Sequence, residues 1–360
     1  MFCPKLCRSA CPVSNAEPRE TLTPWGKMST AYFIANESVA DSPSFASPSW
    51  ACTGCFGCRE HCDHHNDVTG TLFDARSAIV ETRPDAAPEG ATRVLSRAEG
   101  AMRAMRSIAD DPRVRDVVDA SASVAVLVGC QAARARDDAA FDTIRATSLL
   151  VGAKVAVADD CCGAPLLYAG DQRRFAAQGE RFVASMKGRD RVIVGDAGCA
   201  AALRLHHHER GRAMPVPVLH FAELAGRELG KLGHVRELAE DGPVRWHDPC
   251  QLGRGLGVYD APRNLLARAL GRAPEEFERR REDARCSGAG GLLPVTMPDV
   301  ARTIAHQRVA DHERSGGGTI VTACASSKKS FVRAGARVLD LATVVLRALE
   351  AHPERGTDRA

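Results

Sequence analysis

Along residues 121 to 350, short apolar runs alternate with longer segments in which apolar positions recur three and four residues apart. The runs Val124-Ala-Val-Leu-Val128, Val155-Ala-Val-Ala158, Arg191-Val-Ile-Val194, Val244-Arg-Trp246 and Thr319-Ile-Val-Thr322 read as strands. Between them, Ala139 to Leu150, Gln172 to Met186 and Ala200 to Arg210 have the helical period. Strand and helix in alternation predict parallel sheets with helical crossovers. Further upstream, Thr69 to Val80 is amphipathic, and Arg93 to Ile108 sets Val94, Leu95, Ala98, Met102, Met105 and Ile108 on one face before Asp110-Asp111-Pro112 ends it. Residues 83 to 93, with Pro84, Pro88 and Gly90, read as a linker, and Ser38 to Ser49 as a loop.

The strand-like runs end on cysteines. Cys130 follows the first, Cys161-Cys162-Gly163 the second and Cys199 the third; the pattern returns as Cys250, Cys286-Ser287-Gly288 and Cys324. Cys161 to Cys199 and Cys286 to Cys324 both span 38 positions, which aligns Cys199 with Cys324. The tails Val218 to Leu224 and Val338 to Val344 lie 120 positions apart. This is an internal duplication. Each copy reads as a small α/β unit with thiols at the C-terminal ends of its strands, where parallel sheets place their ligands. Adjacent cysteines are a poor disulfide arrangement and a good metal-ligand one.

The first 65 residues carry Cys52-Thr-Gly-Cys55-Phe-Gly-Cys58-Arg-Glu-His-Cys62. This is the C-x2-C-x2-C-x3-C run of bacterial ferredoxins, whose fourth cysteine crosses to the other cluster in two-cluster forms. A second motif, Cys3, Cys7 and Cys11-Pro12, precedes it. Carried over from the ferredoxin pattern, one [4Fe-4S] cluster takes Cys52, Cys55, Cys58 and Cys11, and another takes Cys3, Cys7 and Cys62. The second set is one ligand short. An earlier start supplying a further cysteine, a three-iron cluster, or a non-cysteine ligand would each account for it, and the first is favoured because Cys3 lies so close to Met1. His61, His64 and His65 read as polar residues at a helix start rather than as iron ligands, and His206-His-His208 as a surface stretch.

Composition narrows the classes. The chain has 360 residues, enough for two or three small domains, with 48 basic against 45 acidic side chains and only 5% aromatic residues. No basic stripe interleaved with aromatics points to nucleic acid. No apolar run approaches the length of a membrane helix, and the first residues form no signal core. Fourteen cysteines without export signals imply a reducing compartment, so a cytoplasmic protein is expected, one that a partner could still hold at a membrane surface. Gly253-Arg-Gly255-Leu-Gly257 does not fit a dinucleotide fingerprint, Ser315-Gly-Gly-Gly318 reads as a loop, and no nucleophile elbow or phosphate loop occurs. Flavin or nicotinamide would therefore sit on another subunit.

The duplicated block, with His247-Asp-Pro-Cys250 and Cys286-Ser-Gly-Ala-Gly-Gly291, resembles the cysteine-rich CCG domain of the heterodisulfide reductase family, found also in iron-sulfur subunits of glycolate oxidase and anaerobic glycerol-3-phosphate dehydrogenase. The resemblance implies an α+β and α/β multidomain chain: a helical two-cluster ferredoxin-like domain over residues 1–75, a helical linker over 76–120, CCG copies over 121–235 and 243–350, and a flexible tail over 351–360. A complete copy in that family supplies a cysteine, a cysteine pair and a C-x-x-C. By that rule copy one offers Cys130, Cys161, Cys162 and Cys199, with Ala202 at the last position, enough for a further iron-sulfur cluster or a tetrahedral zinc. Copy two offers Cys250, Cys286 and Cys324, with Ser287 and Ser327 in the remaining places, and is the weaker site; His247 reads either as its completing ligand or as a histidine bonded to backbone.

The order of domains implies an electron-transfer subunit of an oxidoreductase, linking a flavoprotein dehydrogenase of the hydroxy-acid or polyol type to an acceptor such as quinone. The alternative is an enzyme of the heterodisulfide reductase kind, acting on a thiol or disulfide at a CCG cluster. A third reading makes the CCG cysteines zinc-holding scaffold.

Overall fold

The structure is a computed structural model that describes residues 3, 5–38, 42–95 and 98–352. The expected tail at 351–360 falls mostly outside the described residues. Among the described residues seven short strands form two sheets: β1 (Val124–Leu127), β2 (Ala156–Val157), β3 (Arg191–Val194) and β4 (Val218–His220) in the order β2-β1-β3-β4, then β5 (Val244–Trp246), β6 (Thr319–Thr322) and β7 (Arg337–Asp340) in the order β5-β6-β7. Every pairing is parallel, with Val124 opposite Arg191 and Val192 opposite Val218 in the first sheet, and Val244 opposite Thr319 and Ile320 opposite Val338 in the second. A single bridge between Arg245 and Glu275 stands where β2 stands in the first sheet, so both copies share one topology.

The two copies bury one another. Val126, Ile144 and Val192 of the first lie in one apolar core with Trp246, Leu265 and Val345 of the second. The helix Asp138–Val151 packs on the helix Leu341–Glu350, and Thr343 Oγ1 donates to Asp142 Oδ2 at 2.6 Å across the joint. Removing this much apolar surface from water drives the association.

The N-terminal part is helical, including Pro24–Ala35 and Val68–Thr82, each begun by a side-chain cap from Thr23 or Asp67. The stretch expected as loop before Cys52 contains instead the short helices Pro43–Ala46 and Ser47–Trp50, each with proline in its first turn. Proline's fixed φ suits that position, which a reading of proline as a breaker overlooks. Val68–Thr82 runs through residue 75, the expected boundary. The segment after it is no free linker: Ala86 and Ala91 pack with Trp50, Ile79 and Ala169, and Gly90 lies so close to Val295 O that a Cβ would approach it to 2.0 Å. Arg93 to Ile108 is divided between helices Glu89–Leu95 and Ala98–Arg106, with Met105 and Ile108 buried in the main core. Val13 and Leu22 share a further core with Leu293, Val300 and Ile304, which seats the N-terminal part on copy two.

Candidate metal centres

In both copies the thiols cluster where parallel strands end and helices begin. The chain turns tightly after Cys161 and after Cys286, with Gly163 at φ +81° and Gly288 at φ +75°, conformations that favour glycine. These turns aim the next amide back at sulfur: Gly163 N–H donates to Cys161 Sγ at 3.4 Å and Gly288 N–H to Cys286 Sγ at 3.3 Å. Amide donation to sulfur stabilises the thiolate form that a metal requires.

The alignment of the last cysteines expected from spacing is corrected by the sheets. Val194 ends β3 and Thr322 ends β6, so Asp196 and Cys324 are the equivalent residues, each preceding the helix that follows its strand. Cys199 then corresponds to Ser327, and Asp196 stands where the C-x-x-C pattern puts its first cysteine; Ala202 is not the vacant position. Side-chain geometry agrees. Cys162 Sγ donates to Cys199 Sγ at 3.3 Å in copy one, and Ser287 Oγ pairs with Ser327 Oγ at 2.8 Å in copy two. Copy one thus gathers Cys130, Cys161, Cys162 and Cys199 about Asp196, whereas copy two gathers Cys250, Cys286 and Cys324 about a serine pair.

Asp196 also joins the copies. Its Oδ2 accepts from the Gly198 and Cys199 amides at 3.0 and 3.2 Å, and its Oδ1 accepts from the Ala325 amide at 2.9 Å. Burial pushes its pKa up against these bonds. In the thiol set, hydrogen bonds from Cys130 and Cys162 hold Cys161 well below the usual thiol range. Cys324 is raised by burial.

At the N-terminal motifs, a largely apolar cavity is lined by Cys11, Cys52, Cys55 and Cys58 together with Val13, Phe56 and Val68. Lys27, only 1% exposed, donates Nζ to Cys11 Sγ at 3.5 Å, and Gly54 N–H donates to Cys52 Sγ at 3.4 Å. Four thiols from two motifs around an apolar space, with a buried cation and an amide aimed at sulfur, fit a [4Fe-4S] cube, whose net charge such donors offset. Among the described residues no three of Cys, His, Asp and Glu converge on one point as a lone ion needs. Burial raises the Cys7 thiol, and its neighbours Cys3, Cys62 and Cys11 add to the rise. Cys3 is exposed.

The N-terminal motif and copy two meet sulfur to sulfur. Cys286 hydrogen-bonds Cys55 and holds it well below the usual thiol range, with Arg254 contributing; Cys250, itself raised to about 11 by burial, feels the same Cys55 charge. Backbone contacts fix this approach. Arg254 donates Nε to Cys55 O at 2.6 Å and Nη1 to Glu282 O and Ala284 O at 2.8 Å, and Gln251 Nε2 donates to Gly54 O at 2.7 Å. Gly291, at φ +59°, leaves Cys52 O so near that a Cβ would come within 2.1 Å of it.

Several residues near these sites are not apparent from sequence. Arg76, fully buried, donates to the carbonyls of Ser49, Cys52, Tyr168 and Gly291. The stretch His206-His-His208 is not all surface: His206 and His207 are buried, His206 in a π-helical turn, and only His208 is exposed. His207 stacks on Phe175 with centroids 4.0 Å apart and donates Nε2 to Cys162 O at 3.0 Å. π-Turns of this kind recur at functional sites. His61 donates Nδ1 to Gly57 O at 3.0 Å, while His64 and His65 are exposed. His247 packs edge-on against Phe331 with centroids 4.8 Å apart, its Nδ1 without a hydrogen-bond partner, and burial lowers its pKa to about 3.

Comparison with known proteins agrees with this architecture. The CCG family, described as a cysteine-rich domain, matches residues 124–204 and 244–328. One component of the dihydromethanophenazine:CoB--CoM heterodisulfide reductase of Methanosarcina mazei is 31% identical over 225 residues, which are 60% of this chain and 54% of that protein. One component of the fumarate reductase (CoM/CoB) of Methanothermobacter marburgensis is 24% identical over 332 residues, 88% of this chain and 64% of that protein. EtfAB:quinone oxidoreductase of Syntrophomonas wolfei is 41% identical over 76 residues, 21% of this chain and 10% of that protein. The chain spans little more than half the length of the heterodisulfide reductase relative. It carries two CCG cysteine-rich domains in tandem. It is an iron-sulfur protein related to the heterodisulfide reductases.

Proposed function

We propose that the chain is an electron-transfer subunit in which an N-terminal ferredoxin-like part, spanning about residues 1–75, works with the two CCG copies. Bound [4Fe-4S] clusters would supply one-electron carriers. Cys11, Cys52, Cys55 and Cys58 would hold one, Cys3, Cys7 and Cys62 would serve a second, and Cys130, Cys161, Cys162 and Cys199 would hold a further cluster in copy one. The observation that carries the reading is the contact of Cys55 with Cys286. Thiols of the N-terminal motif and of copy two are near neighbours, held there by Arg254 and Gln251, so redox groups on the two would be close enough to exchange electrons. The chain's own residues exclude water, with Phe56, Val13 and Val68 around the first site, and balance thiolate charge through Lys27 and Arg254.

The partner in this reading is a flavoprotein dehydrogenase and the acceptor a quinone-like oxidant; the relatives named for a fumarate reductase and for an EtfAB:quinone oxidoreductase support that setting. Among the described residues no helix is long and apolar enough to cross a membrane, so contact with a membrane acceptor would run through another subunit. A second reading, thiol or disulfide chemistry at copy one, is favoured by its four gathered thiols and by the heterodisulfide reductase relative, with Asp196 in a cysteine's place as its departure.

The test is iron and sulfide analysis with low-temperature EPR on protein purified without oxygen, followed by mixing the reduced protein with a soluble quinone. About eight irons or more, with reducible cube signals that the quinone reoxidises, are expected for two or more cubes. Fewer than about four irons per chain, or cubes the quinone leaves reduced, would sink the relay.

A further inference from the structure

At the joint between the N-terminal part and copy two lies a cavity of about 410 Å³, in the range of small-molecule sites. Ser9, Asn15 and His61 line one wall, and Cys286 lies on the other. Its charge is one-sided: Arg254, Arg279, Arg285, Arg308 and Arg314 face only Asp283 and Asp311. The two carboxylates are already engaged. Asp283 Oδ1 lies 3.1 Å from His61 Nε2, and Asp311 is shared among Arg285 at 3.1 Å, Arg308 at 3.8 Å and Arg314.

Arg308 is the informative member. It is 1% exposed, yet its Nε and Nη1 make no hydrogen bond: Nη1 meets Asp311 only as a loose ion pair at 3.8 Å, and Nη2 reaches the Arg279 carbonyl at 3.2 Å. Its guanidinium lies 3.5 Å over the Phe277 ring, which fixes its plane. Burial draws its pKa down to about 9, against the opposing pull of Asp311. A buried cation with idle donors is costly unless an anion completes it.

We infer that this cavity is a binding site for a small anion carrying at least two acidic groups, carboxylate or phosphate, held by Arg308 and Arg279 beside Cys286. Guanidinium forks match both kinds of acid, and two cations on separate elements favour two acidic groups over one. The inference does not depend on the electron relay, because it is read from binding alone. It places a small molecule next to a thiol of copy two, the copy that lacks two of the five cysteines.

Isothermal titration of the iron-loaded full chain, kept free of oxygen, would use citrate and inorganic pyrophosphate as probes. At least one is expected to bind with Kd below about 1 mM and to weaken as salt rises. Arg308→Gln is expected to raise that Kd about tenfold or more. Because Arg308 is buried, Arg279→Gln at the exposed rim supplies the second arm and should raise Kd several-fold in a protein of unchanged fold. Binding of citrate alone assigns a carboxylate ligand, binding of pyrophosphate alone a phosphate ligand, and binding of both their shared chemistry. No heat from either probe at about 10 mM, or binding that neither substitution weakens, overturns the site.

Discussion

Replacing Arg76 by methionine should destabilise the protein far more than an arginine on an amphipathic helix would suggest. The native guanidinium donates to Ser49 O at 2.9 Å, Tyr168 O at 2.8 Å, Gly291 O at 3.1 Å and Cys52 O at 3.0 Å, tying together the N-terminal part and both CCG copies. Methionine keeps much of the stem's volume and removes every donor. A buried carbonyl left without a donor costs about 1–3 kcal/mol, so four sum to about 4 kcal/mol even at the low end. Relief from burying a cation, whose pKa is lowered to about 10 by desolvation, offsets part of this. The expected net loss is about 3–5 kcal/mol, which should lower the urea midpoint by roughly 1 M or more for a chain of this size. Arg76→Lys, able to satisfy fewer carbonyls from one point, should fall between. A methionine variant within about 1 kcal/mol of the parent would refute the view that this side chain holds the three parts together.

Three further outcomes follow from named contacts. His220, fully buried, caps the helix Phe221–Gly226 by accepting the Ala222 amide on Nδ1 at 3.1 Å, and burial lowers its pKa from 6.5 to about 3. Unfolded chain therefore takes up the proton first, so stability holds above pH ~6.5 and is lost as pH falls toward 3; between pH 7 and 5 the parent should lose about 2 kcal/mol more than His220→Asn, and equal losses would exclude this proton. Gly291→Ala should cost at least about 2 kcal/mol and expose the N-terminal part to limited proteolysis, since the new methyl meets Cys52 O; an unchanged digestion pattern would count against that close approach. Cys162→Ser with Cys199→Ser, which gives copy one the serine pair of copy two, should lower iron per chain, and Ser287→Cys with Ser327→Cys should raise it; iron contents unmoved by both would mean that neither pair serves a cluster.

The parallel sheets were legible because their apolar runs are short and regularly spaced, and the tandem duplication because Val218 to Leu224 and Val338 to Val344 keep their 120-residue offset through β4 and β7. The ligand positions were harder. The 38-residue interval recurs in both copies by compensation: Gly163 to the end of β3 spans 31 positions and Gly288 to the end of β6 spans 34, while the step from strand end to cysteine is five residues in one and two in the other. Spacing alone sees only the sum, whereas the strand ends separate its parts and put Asp196 opposite Cys324. Arg76 and the buried His206-His207 were illegible for a related reason. Local pattern marks a polar residue on a helix as surface, and what buries these side chains is a set of carbonyls and rings contributed from distant segments. The substitutions then take on an order. Copy one exchanges one thiol for a carboxylate that binds the other copy's backbone, and copy two exchanges a thiol pair for hydroxyls that bind each other. Each replacement keeps a hydrogen bond, so the duplicated fold can lose metal ligands without losing the contacts that hold it together.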